Sequence, residues 1–406
     1  MKTEKRSRIS RVLMLLQNAP YPHDPRVRGE ARALVTAGYQ VTLICPGVAG
    51  QPRHEMLDGV RIYRFPRPPY AGSLMGYLYE YGYSMVAIFV ISLLVLVRHG
   101  FDVVHAHCPP DAFVFIAACY KLMGKRFVYD HHDLSPELYY ARFRGSGNRF
   151  IYRTLVFLER FACRLADHVI ATNQSYKQVE MVRGSVPEER ITIVRNGPDL
   201  NHSSPADPDR DLDQPGRTIL CYVGVMGVQD GVDYLLRAVQ YLVYEMGRND
   251  LFCYLVGRGE AVPRLESLTE QLGLSEYVLF TGWVDRTEVP GYISAADICV
   301  APEPSNPYND RSTSIKVMEY MQHSKPIVAF DLPEHRFSAQ DAAVYAHPND
   351  EQDFAQRIAA LIDDPVQCQR MGQAGRDRIE SELAWSYQKQ HLLDAYRALG
   401  GEPSGH

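Results

Sequence analysis

The chain has 406 residues, of which 46% are hydrophobic and 22% are charged, so it is long enough for two globular domains and has the composition of a soluble protein. Its net charge of −5 argues against a nucleic-acid-binding protein, which usually carries a basic surface. The eight cysteines are scattered and form no Cys-x-x-Cys pair, which indicates buried thiols in a reducing compartment and not a disulfide framework or a zinc site. The basic N-terminus runs into an apolar segment too short for a signal-peptide core, so we expect a cytoplasmic protein.

The first half of the chain alternates short apolar runs with longer helical patterns. The apolar runs predict strands at residues 12–16, 40–45, 103–107, 127–129, 168–172 and 191–194. Helical patterns fall between them, for example at residues 27–37 and 148–166. This alternation predicts a parallel sheet with helices on both faces, which is a doubly wound, Rossmann-like α/β domain.

One segment of the first half, residues 77–97, is almost entirely apolar and rich in tyrosine. A membrane-spanning helix needs about 20 apolar residues, whereas the uninterrupted apolar part here is residues 85–97. The pattern favours a core helix of the first domain. It leaves open a helix whose aromatic end touches a membrane surface, where tyrosines are common. A true membrane span is the least favoured alternative.

The second half repeats the alternation after a polar linker at residues 201–216. Strands are predicted at residues 217–223, 252–256, 278–281, 298–301 and 326–329, and helices at 232–245, 261–272 and 316–322. The linker is rich in Pro and Asp and has no apolar period. Its alternating acids favour solvated chain over a calcium loop or a metal-binding Asp-x-Asp, because Leu212 and Thr218 stand where an EF-hand needs glycine and glutamate.

Glycines follow three strands of the second half, at the edge where open parallel sheets bind ligands. Gly224 and Gly227 follow the first strand, where backbone amides can approach a phosphate. Arg258 stands between two glycines after the next strand. Gly282 and Val284 follow the third strand, where a glycine leaves backbone open to a flat base.

A long polar loop within residues 302–322 ends in a helix that Ser314 or a neighbouring hydroxyl can cap. The free amides of Ile315 and Lys316 would then face the ligand, where the helix dipole favours an anion. Lys316 adds a positive charge, and Glu319 could accept two ribose hydroxyls one turn further on. Together with the glycines, these groups predict a site for a nucleoside diphosphate.

Histidines and acids gather at the strand ends of the first half. Asp130, His131, His132 and Asp133 follow one predicted strand, and His107 ends its neighbour. The favoured interpretation is a catalytic or substrate-orienting cluster. Clustered His and Asp could also bind a metal, but the flanking turn indicates a hydrogen-bonded loop.

Short blocks spread along nearly the whole chain carry a resemblance to a known family. They include, in order, PYPHDPRVRGEARALVTAGYQVTLIC, FDVVHAH, YDHHDLSPELY, YVGVMGVQDGVDYLLRA, LVGRGE, VLFTGWV and SIKVMEYMQHSKPIVA. The chain resembles the family 4 retaining glycosyltransferases, in particular the bacterial members that build O-antigen, capsule and exopolysaccharide. The order and spacing of so many blocks argue against chance similarity.

The resemblance implies the GT-B fold, which has two facing Rossmann-like, doubly wound domains and a C-terminal helix that crosses back to the first. The implied bounds are 1–200 for an acceptor domain, 201–216 for the linker, 217–384 for a nucleotide-sugar domain and 385–406 for the crossover helix and tail. The resemblance also implies transfer from a nucleoside-diphosphate sugar with retention of anomeric configuration. No metal or other cofactor is expected.

Site residues are carried over onto the matching motifs. The predicted catalytic residues are His132, Asp130 and Asp133. The predicted donor-binding residues are Gly224, Gly227, Arg258, Gly282, Val284, Ser314, Ile315, Lys316 and Glu319. The predicted acceptor and loop residues are Arg26, Gly29, His107 and His131. Glu319 resembles the acid that binds the donor ribose, and Gly29 lies in a loop that in this family often approaches the donor phosphate or the acceptor.

Two features depart from the family pattern. Many members carry Glu-x7-Glu in this region, and counting back from Glu319 gives Arg311. Those members also carry basic residues where this chain has Val225 and Asp230. The candidate sources of the missing positive charge are Arg258, Lys316 and Arg311.

Two other functions stay open at this point. One is a GT-B-fold sugar-nucleotide epimerase, which needs no acceptor, and the other is a non-catalytic partner subunit that binds nucleotide or glycan. The expected partners of a transferase are a nucleotide-sugar donor and a glycan or lipid-linked acceptor, with residues 77–97 as a candidate membrane contact and no nucleic acid. The expected location is cytoplasmic, at the inner membrane face if the acceptor is lipid-linked.

Overall fold

A computed structural model describes residues 9–67, 74–200 and 212–400. The chain divides into two compact units. Unit 1 contains Met1–Pro136, Asn148–Arg195 and Ser386–His406, and unit 2 contains Glu137–Gly147 and Asn196–Trp385. The domain bounds given by the sequence stay a prediction.

Strands and helices alternate along both units, as the sequence pattern predicts. The strands of unit 1 are β1 (Arg11–Leu15), β2 (Gln40–Gly47), β3 (His54–Leu57), β4 (Val60–Pro66), β5 (Val103–His107), β6 (Arg126–His131), β7 (His168–Ala171) and β8 (Ile191–Ile193). Those of unit 2 are β9 (Thr218–Val223), β10 (Leu251–Val256), β11 (Val278–Gly282), β12 (Ile298–Ala301), β13 (Ile327–Phe330) and β14 (Ala343–Ala346). The α-helices are α1 (Pro25–Thr36), α2 (Leu74–Arg98), α3 (Phe113–Leu122), α4 (Ser135–Arg142), α5 (Arg149–Leu165), α6 (Gln174–Val182), α7 (Val232–Gln240), α8 (Val262–Gln271), α9 (Val289–Ala295), α10 (Ile315–Gln322), α11 (Pro333–Ala339), α12 (Glu351–Ile362), α13 (Pro365–Arg378) and α14 (Trp385–Ala398).

Unit 1 holds an eight-stranded sheet in the order β3-β4-β2-β1-β5-β6-β7-β8. Its neighbouring strands pair in parallel except β3 with β4, which form an antiparallel hairpin. The six strands predicted for this half are confirmed, but β3 and β4 were not predicted. The overlooked signal is the turn at Asp58 and Gly59, whose φ angles of 53° and 75° suit the Asp-Gly pair of a tight hairpin.

Unit 2 holds a six-stranded parallel sheet in the order β11-β10-β9-β12-β13-β14. The chain moves from β9 outward to β11 and then returns to β12 on the other side of β9. Ligands of open α/β sheets bind at such a switch point, beyond the carboxyl ends of the strands. The segments after β9 and β12 are therefore the expected place for a nucleotide.

The apolar segment 77–97 lies in α2, and the prediction of a core helix is wrong. Within the described residues, the stretch Tyr79–Arg98 is long and apolar enough to cross a membrane by length and composition, and only 22% of its most apolar window is buried. Strand β14 was not predicted, because four residues at a sheet edge leave too short a pattern.

Six of the eight thiols are buried as predicted, but the prediction is wrong for Cys119. All eight cysteines are free, and the buried ones are Cys45, Cys108, Cys163, Cys221, Cys253 and Cys299. Cys368 is half-buried and Cys119, on α3, is exposed. Burial raises the pKa of each buried thiol above its ordinary value, which keeps these groups protonated and unreactive. The N-terminal residues 1–8 and most of the predicted linker, residues 201–211, lie outside the described residues.

Candidate active site

In unit 1, Arg26 of α1 binds Asp130 at the end of β6. The Asp24 side chain accepts an amide of the first turn and Pro25 opens the helix, which fixes Arg26 in that turn. The guanidinium donates to both carboxylate oxygens of Asp130, at 2.9 and 2.7 Å, and to the carbonyl of Val194 at 2.8 Å. Burial alone would raise the pKa of Asp130, but the Arg26 charge holds it well below its usual range.

Two stacked histidines at the end of β5 extend this buried network. His107 Nδ1 lies 2.7 Å from Asp130 Oδ2, and the ring of His105 lies 4.4 Å from that of His107. His105 Nδ1 bonds the hydroxyl of Tyr396 on α14 at 2.8 Å, and its Nε2 lies 3.5 Å from Glu30. Burial lowers the pKa of both histidines and raises the pKa of Glu30 to about 8. Both rings are therefore neutral near pH 7.

His132 is the histidine of this network that solvent reaches. About a tenth of its side chain is exposed, whereas His107 and Asp130 are fully buried. Its Nδ1 lies 3.3 Å from Asp130 Oδ2. Burial lowers its pKa, but the Asp130 carboxylate outweighs this and raises the pKa above its ordinary value. Asp130 thus orients a ring whose other edge is available to a substrate.

Other predicted residues of unit 1 lie away from this edge. His131 follows Asp130 in β6 and points to the opposite face, where it is fully buried and lies 3.1 Å from Glu180. The backbone carbonyl of Asp133 accepts from the thiol of Cys108. Gly29 lies inside α1 and not in a loop, so that part of its prediction is wrong. The substrate contacts predicted for His131 and Asp133 stay predictions.

Four groups of unit 1 have a spacing that a metal ion could bridge. Ligand atoms of Glu30, His105, His107 and Asp130 lie within 4.8 Å of one another. Arg26 lies between the two carboxylates, 3.1 Å from Glu30 and 2.7 Å from Asp130. Because the Arg26 guanidinium already balances the Asp130 carboxylate, and burial keeps Glu30 largely protonated near pH 7, the geometry fits a hydrogen-bonded ion-pair network.

In unit 2, Ser314 stands at the N-cap position of α10 but does not cap it. Its hydroxyl donates instead to Glu303 Oε1, at 2.9 Å. In the described part of the chain, no acceptor bonds the amides of Ile315 and Lys316. Free amides at a helix N-terminus, together with the helix dipole, suit an anion.

Lys316 lies beneath the glycine loop that follows β9. A Cβ added to Gly224 would lie only 3.1 Å from Lys316 Cε, and the φ angle of 151° at this position also requires glycine. Lys316 Nζ is 2.7 Å from Glu303 Oε1 and 3.2 Å from the Tyr222 hydroxyl. Burial alone would lower the pKa of Lys316 and raise that of Glu303, but the pairing reverses both shifts. The cation is fixed beside the loop with its charge partly offset.

The loop between β9 and α7 is held together by a hydrogen bond to Asp230, which belongs to the loop. The amide of Gly227 donates to Asp230 Oδ2 at 2.8 Å. A Cβ at Gly231 would meet the carbonyl oxygen of Pro302 at 2.1 Å, so glycine is required for β9 and β12 to bring their loops together. Burial raises the pKa of Asp230 to about 6, against the charge of Lys316. Asp230 therefore holds the loop in shape through its hydrogen bond to Gly227.

Glu319 lies one turn into α10 and is half-buried. Within the described residues, no side-chain or backbone donor bonds its carboxylate. Burial raises its pKa above the ordinary value, and the charges of Arg286 and Lys316 oppose that rise. A carboxylate that is partly desolvated and has unused acceptor capacity fits the predicted contact with two ribose hydroxyls.

The remaining predicted donor groups lie at the ends of β10 and β11. The guanidinium of Arg258 stacks over the Trp283 ring, with 4.4 Å between the guanidinium carbon and the ring centroid. Gly282 has a φ of 71° and open space where a side chain would be. Val284 packs against the core of unit 2. The edge of β11 therefore presents an accessible backbone beside an exposed aromatic ring.

Solved structures share this fold over nearly the whole chain. Sucrose-phosphate synthase from Thermosynechococcus elongatus is 19% identical with a TM-score of 0.80, covering 96% of this chain and 99% of that one. Alr3699/HepE from Anabaena, in complex with UDP-glucose, is 18% identical with a TM-score of 0.73 and the same coverage. WaaG, a glycosyltransferase involved in lipopolysaccharide biosynthesis, is 15% identical with a TM-score of 0.70, covering 96% of this chain and 100% of that one. The predicted GT-B fold is confirmed.

Two family models match the two halves of the sequence. The model for Glycosyltransferase Family 4 matches residues 26–202, and the model for Glycosyl transferases group 1 matches residues 217–364. The chain is a GT-B glycosyltransferase. Among its curated relatives, an alpha-D-kanosaminyltransferase is 24% identical over 73% of this chain and 77% of its own length. A 2-deoxystreptamine glucosyltransferase is 22% identical over 92% of this chain and 98% of its own length, and both relatives come from Streptomyces kanamyceticus.

One residue that contacts the candidate donor-binding residues of unit 2 was not predicted. Glu303 is buried at the end of β12, where it accepts from Ser314 and Lys316, and its Oε2 lies 3.8 Å from His335. The signal was an acid two residues after a buried apolar strand, with Pro302 between them. Of the candidate cations, Arg311 donates to the carbonyl of Pro307 at 2.5 Å.

Proposed function

We propose that α10 binds the diphosphate and ribose of a nucleoside-diphosphate sugar. The observation that carries this proposal is the N-terminus of α10, where the Ser314 hydroxyl is drawn away to Glu303 and leaves the first amides free. Glu319 carries unused acceptor capacity one turn further on, as a ribose contact requires. The Anabaena relative binds UDP-glucose, which supports a donor of the same chemical class.

The proposed reaction is transfer of a hexosyl or N-acetylhexosaminyl group with retention and without a metal ion. The bond from the anomeric carbon to the diphosphate breaks, a bond from that carbon to the acceptor oxygen forms on the same face, and the hydroxyl proton passes to the leaving diphosphate. The free amides of α10, its dipole and Lys316 stabilise the negative charge on the leaving diphosphate. His132, held by Asp130, orients a substrate hydroxyl.

We propose a glycan or lipid-linked glycan as the acceptor, in the synthesis of a surface polysaccharide by a cytoplasmic enzyme. The resemblance to O-antigen and capsule enzymes supports this acceptor class. The fold shared with WaaG, itself involved in lipopolysaccharide biosynthesis, agrees with it.

A thermal-shift screen against UDP-, GDP-, ADP- and dTDP-sugars tests the donor assignment. We expect a rise in Tm with one nucleotide class in the wild type and little rise in Glu319→Gln. Glu266→Gln, an exposed acid on α8, is the matched control and should respond like the wild type. An equal rise in Glu319→Gln would contradict the ribose contact.

Incubation with the donor alone, and then with glycan acceptors, separates transfer from its rivals. A transferase releases nucleoside diphosphate and forms a glycoside whose anomeric proton coupling matches that of the donor. A new sugar epimer without acceptor would instead support an epimerase. Donor binding with no turnover on any acceptor would support a non-catalytic partner subunit.

A further inference from the structure

Helix α2 presents a more apolar face to solvent than to the protein. Its buried face carries Ser84, Ile88, Ser92 and Val95, which pack on the sheet side near β2 and β4. Its exposed face carries Val86, Val90, Leu93, Leu94 and Val97. Residues 81–97 contain no charged side chain. Surface helices of water-soluble proteins instead turn their apolar side chains to the core. The exposed apolar face of α2 therefore indicates a contact with another apolar surface.

Two further helices continue this face. The connections from β4 to β5, from β5 to β6 and from β6 to β7 all run in the same direction across the sheet of unit 1. Right-handed crossovers therefore place α2, α3 and α5 on the same side. A hydrogen bond of 2.6 Å between Ser92 and Tyr120 joins α2 to α3, and the rings of Phe115 and Phe161 join α3 to α5 at 6.0 Å. Phe115 and Leu122 of α3 are themselves exposed.

Helix α5 adds a stripe of positive charge. Arg149, Arg153, Arg160 and Arg164 are exposed, and their spacing of four, seven and four residues puts them on one side of the helix. Phe150 and Phe157 lie exposed beside them. The acid of α5, Glu159, is buried and paired with Arg183. In the described chain none of the four arginines pairs with a carboxylate, so this stripe is cationic in a protein of net charge −5.

We propose that the face formed by α2, α3 and α5 docks on a membrane surface that contains anionic lipid. Apolar and aromatic side chains next to arginines are the composition of helices that lie in the interface of a bilayer. Anionic headgroups complement the α5 stripe, whereas a two-fold contact with a second copy would bring like charges together. Because Ile88 and Val95 anchor α2 to the core of unit 1, the helix lies on the membrane and does not span it.

Vesicle flotation of the full chain tests the apolar part of this face. We expect binding to vesicles of phosphatidylcholine with phosphatidylglycerol, and weaker binding to phosphatidylcholine alone. The variant V86S/V90S/V97S should lose about tenfold or more in partitioning, since three apolar side chains no longer enter the interface. Val366→Ser, an exposed valine on α13 in unit 2, should bind like the wild type.

The charged part is tested with R149E/R153E. Each arginine near an anionic surface contributes about a fivefold gain in binding, so this variant should lose about tenfold or more on the mixed vesicles and change little on phosphatidylcholine. The control is Arg370→Glu, an exposed cation on α13. Equal loss on both vesicle types would overturn the electrostatic part of the proposal.

Two other outcomes would overturn the docking proposal as a whole. One is a wild-type dimer in sedimentation velocity that V86S/V90S/V97S abolishes while vesicle binding stays unchanged, because the face would then bind a second copy. The other is vesicle-bound protein that high salt and alkali cannot release but detergent can, because α2 would then span the bilayer. Flotation without donor and the donor-induced rise in Tm are measured separately, so failure of either proposal leaves the other testable.

Discussion

The two candidate site regions of this glycosyltransferase differ in how their charged and polar groups are satisfied. In unit 1 the cluster around Asp130 is fully buried, and its charges are matched inside the protein by Arg26. In unit 2 the N-terminus of α10 keeps free amides, and Glu319 keeps free acceptor capacity. The charges of the first region are balanced inside the protein, whereas the second region keeps free amides and a free carboxylate for a ligand.

The difference teaches which changes will affect folding and which will affect binding. A buried group whose partner is removed leaves the other charge unpaired, so mutation in the Asp130 cluster costs stability. A polar group with no hydrogen-bond partner in the free protein adds little to its stability. Mutating such a group therefore lowers ligand affinity and leaves folding nearly unchanged. Lys316 and His132 are each paired inside the protein and also proposed to contact a substrate. Mutation of either residue should therefore affect both stability and binding.

The largest effect is expected at Glu319. Glu319→Ala removes two hydrogen bonds to a charged acceptor, each about 1.5–3 kcal/mol, so kcat/KM should fall about a hundredfold or more. Its Tm without donor should stay close to that of the wild type. Steady-state kinetics and calorimetry of the same sample check both statements, and a large loss of Tm would mean that Glu319 belongs with the buried class.

A loss of stability is expected at His107. His107→Ala removes a buried hydrogen bond to the Asp130 carboxylate, whose charge Arg26 still balances, and should lower the free energy of unfolding by about 3 kcal/mol. His347→Ala removes a histidine that is mostly exposed, and should change it by no more than about 0.5 kcal/mol. Denaturant titration of the two variants measures the contrast, and equal effects would erase the distinction between the regions.

The ion pair of Lys316 and Glu303 separates an effect on stability from an effect on donor binding, because both charges can be removed together in a double variant. K316M and E303Q should each lower stability, while the double variant should recover about 1–2 kcal/mol of the summed loss. Donor-induced stabilisation should stay lost in K316M and in the double variant, since the phosphate loses its cation in both. Recovery of donor binding in the double variant would assign Lys316 a structural role only.

The smallest effect is a pH dependence at His132. The pKa of this histidine is raised in the folded protein, so its stabilising contribution is complete below the ordinary value of 6.5 and is lost as pH rises through the folded pKa. The difference in Tm between the wild type and His132→Gln should therefore be larger at pH 6 than at pH 9. A difference that is constant with pH would show that His132 is neutral throughout.

The fold was largely predictable, because parallel strands buried on both faces leave continuous apolar runs. β3 and β14 were missed because they are four-residue edge strands with weak patterns, and β4 was missed because the Asp58-Gly59 hairpin turn before it was overlooked. The orientation of α2 escaped for another reason. Periodicity locates an apolar stripe but does not say whether that stripe faces the core. Here two serines share the buried face with Ile88 and Val95, while most of the apolar side chains are exposed.

The candidate site was predictable by residue type but not by pairing. The sequence places Ser314, Lys316 and Glu319 on one helix start, which chain spacing alone determines. It does not reveal that Glu303, which follows another strand, would accept hydrogen bonds from both the Ser314 hydroxyl and the Lys316 ammonium group. It also gave no sign that Arg26 would neutralise Asp130, since that contact spans 104 residues of chain.

The thiols offer a practical consequence. Six of the eight cysteines are buried with raised pKa values, and Cys368 is only half-buried, so Cys119 is the one that a maleimide reaches most readily. Cys119 lies on α3, within the face proposed to meet lipid. A fluorophore or spin label attached to the native chain would therefore report contact with a bilayer from inside that face, without an engineered cysteine.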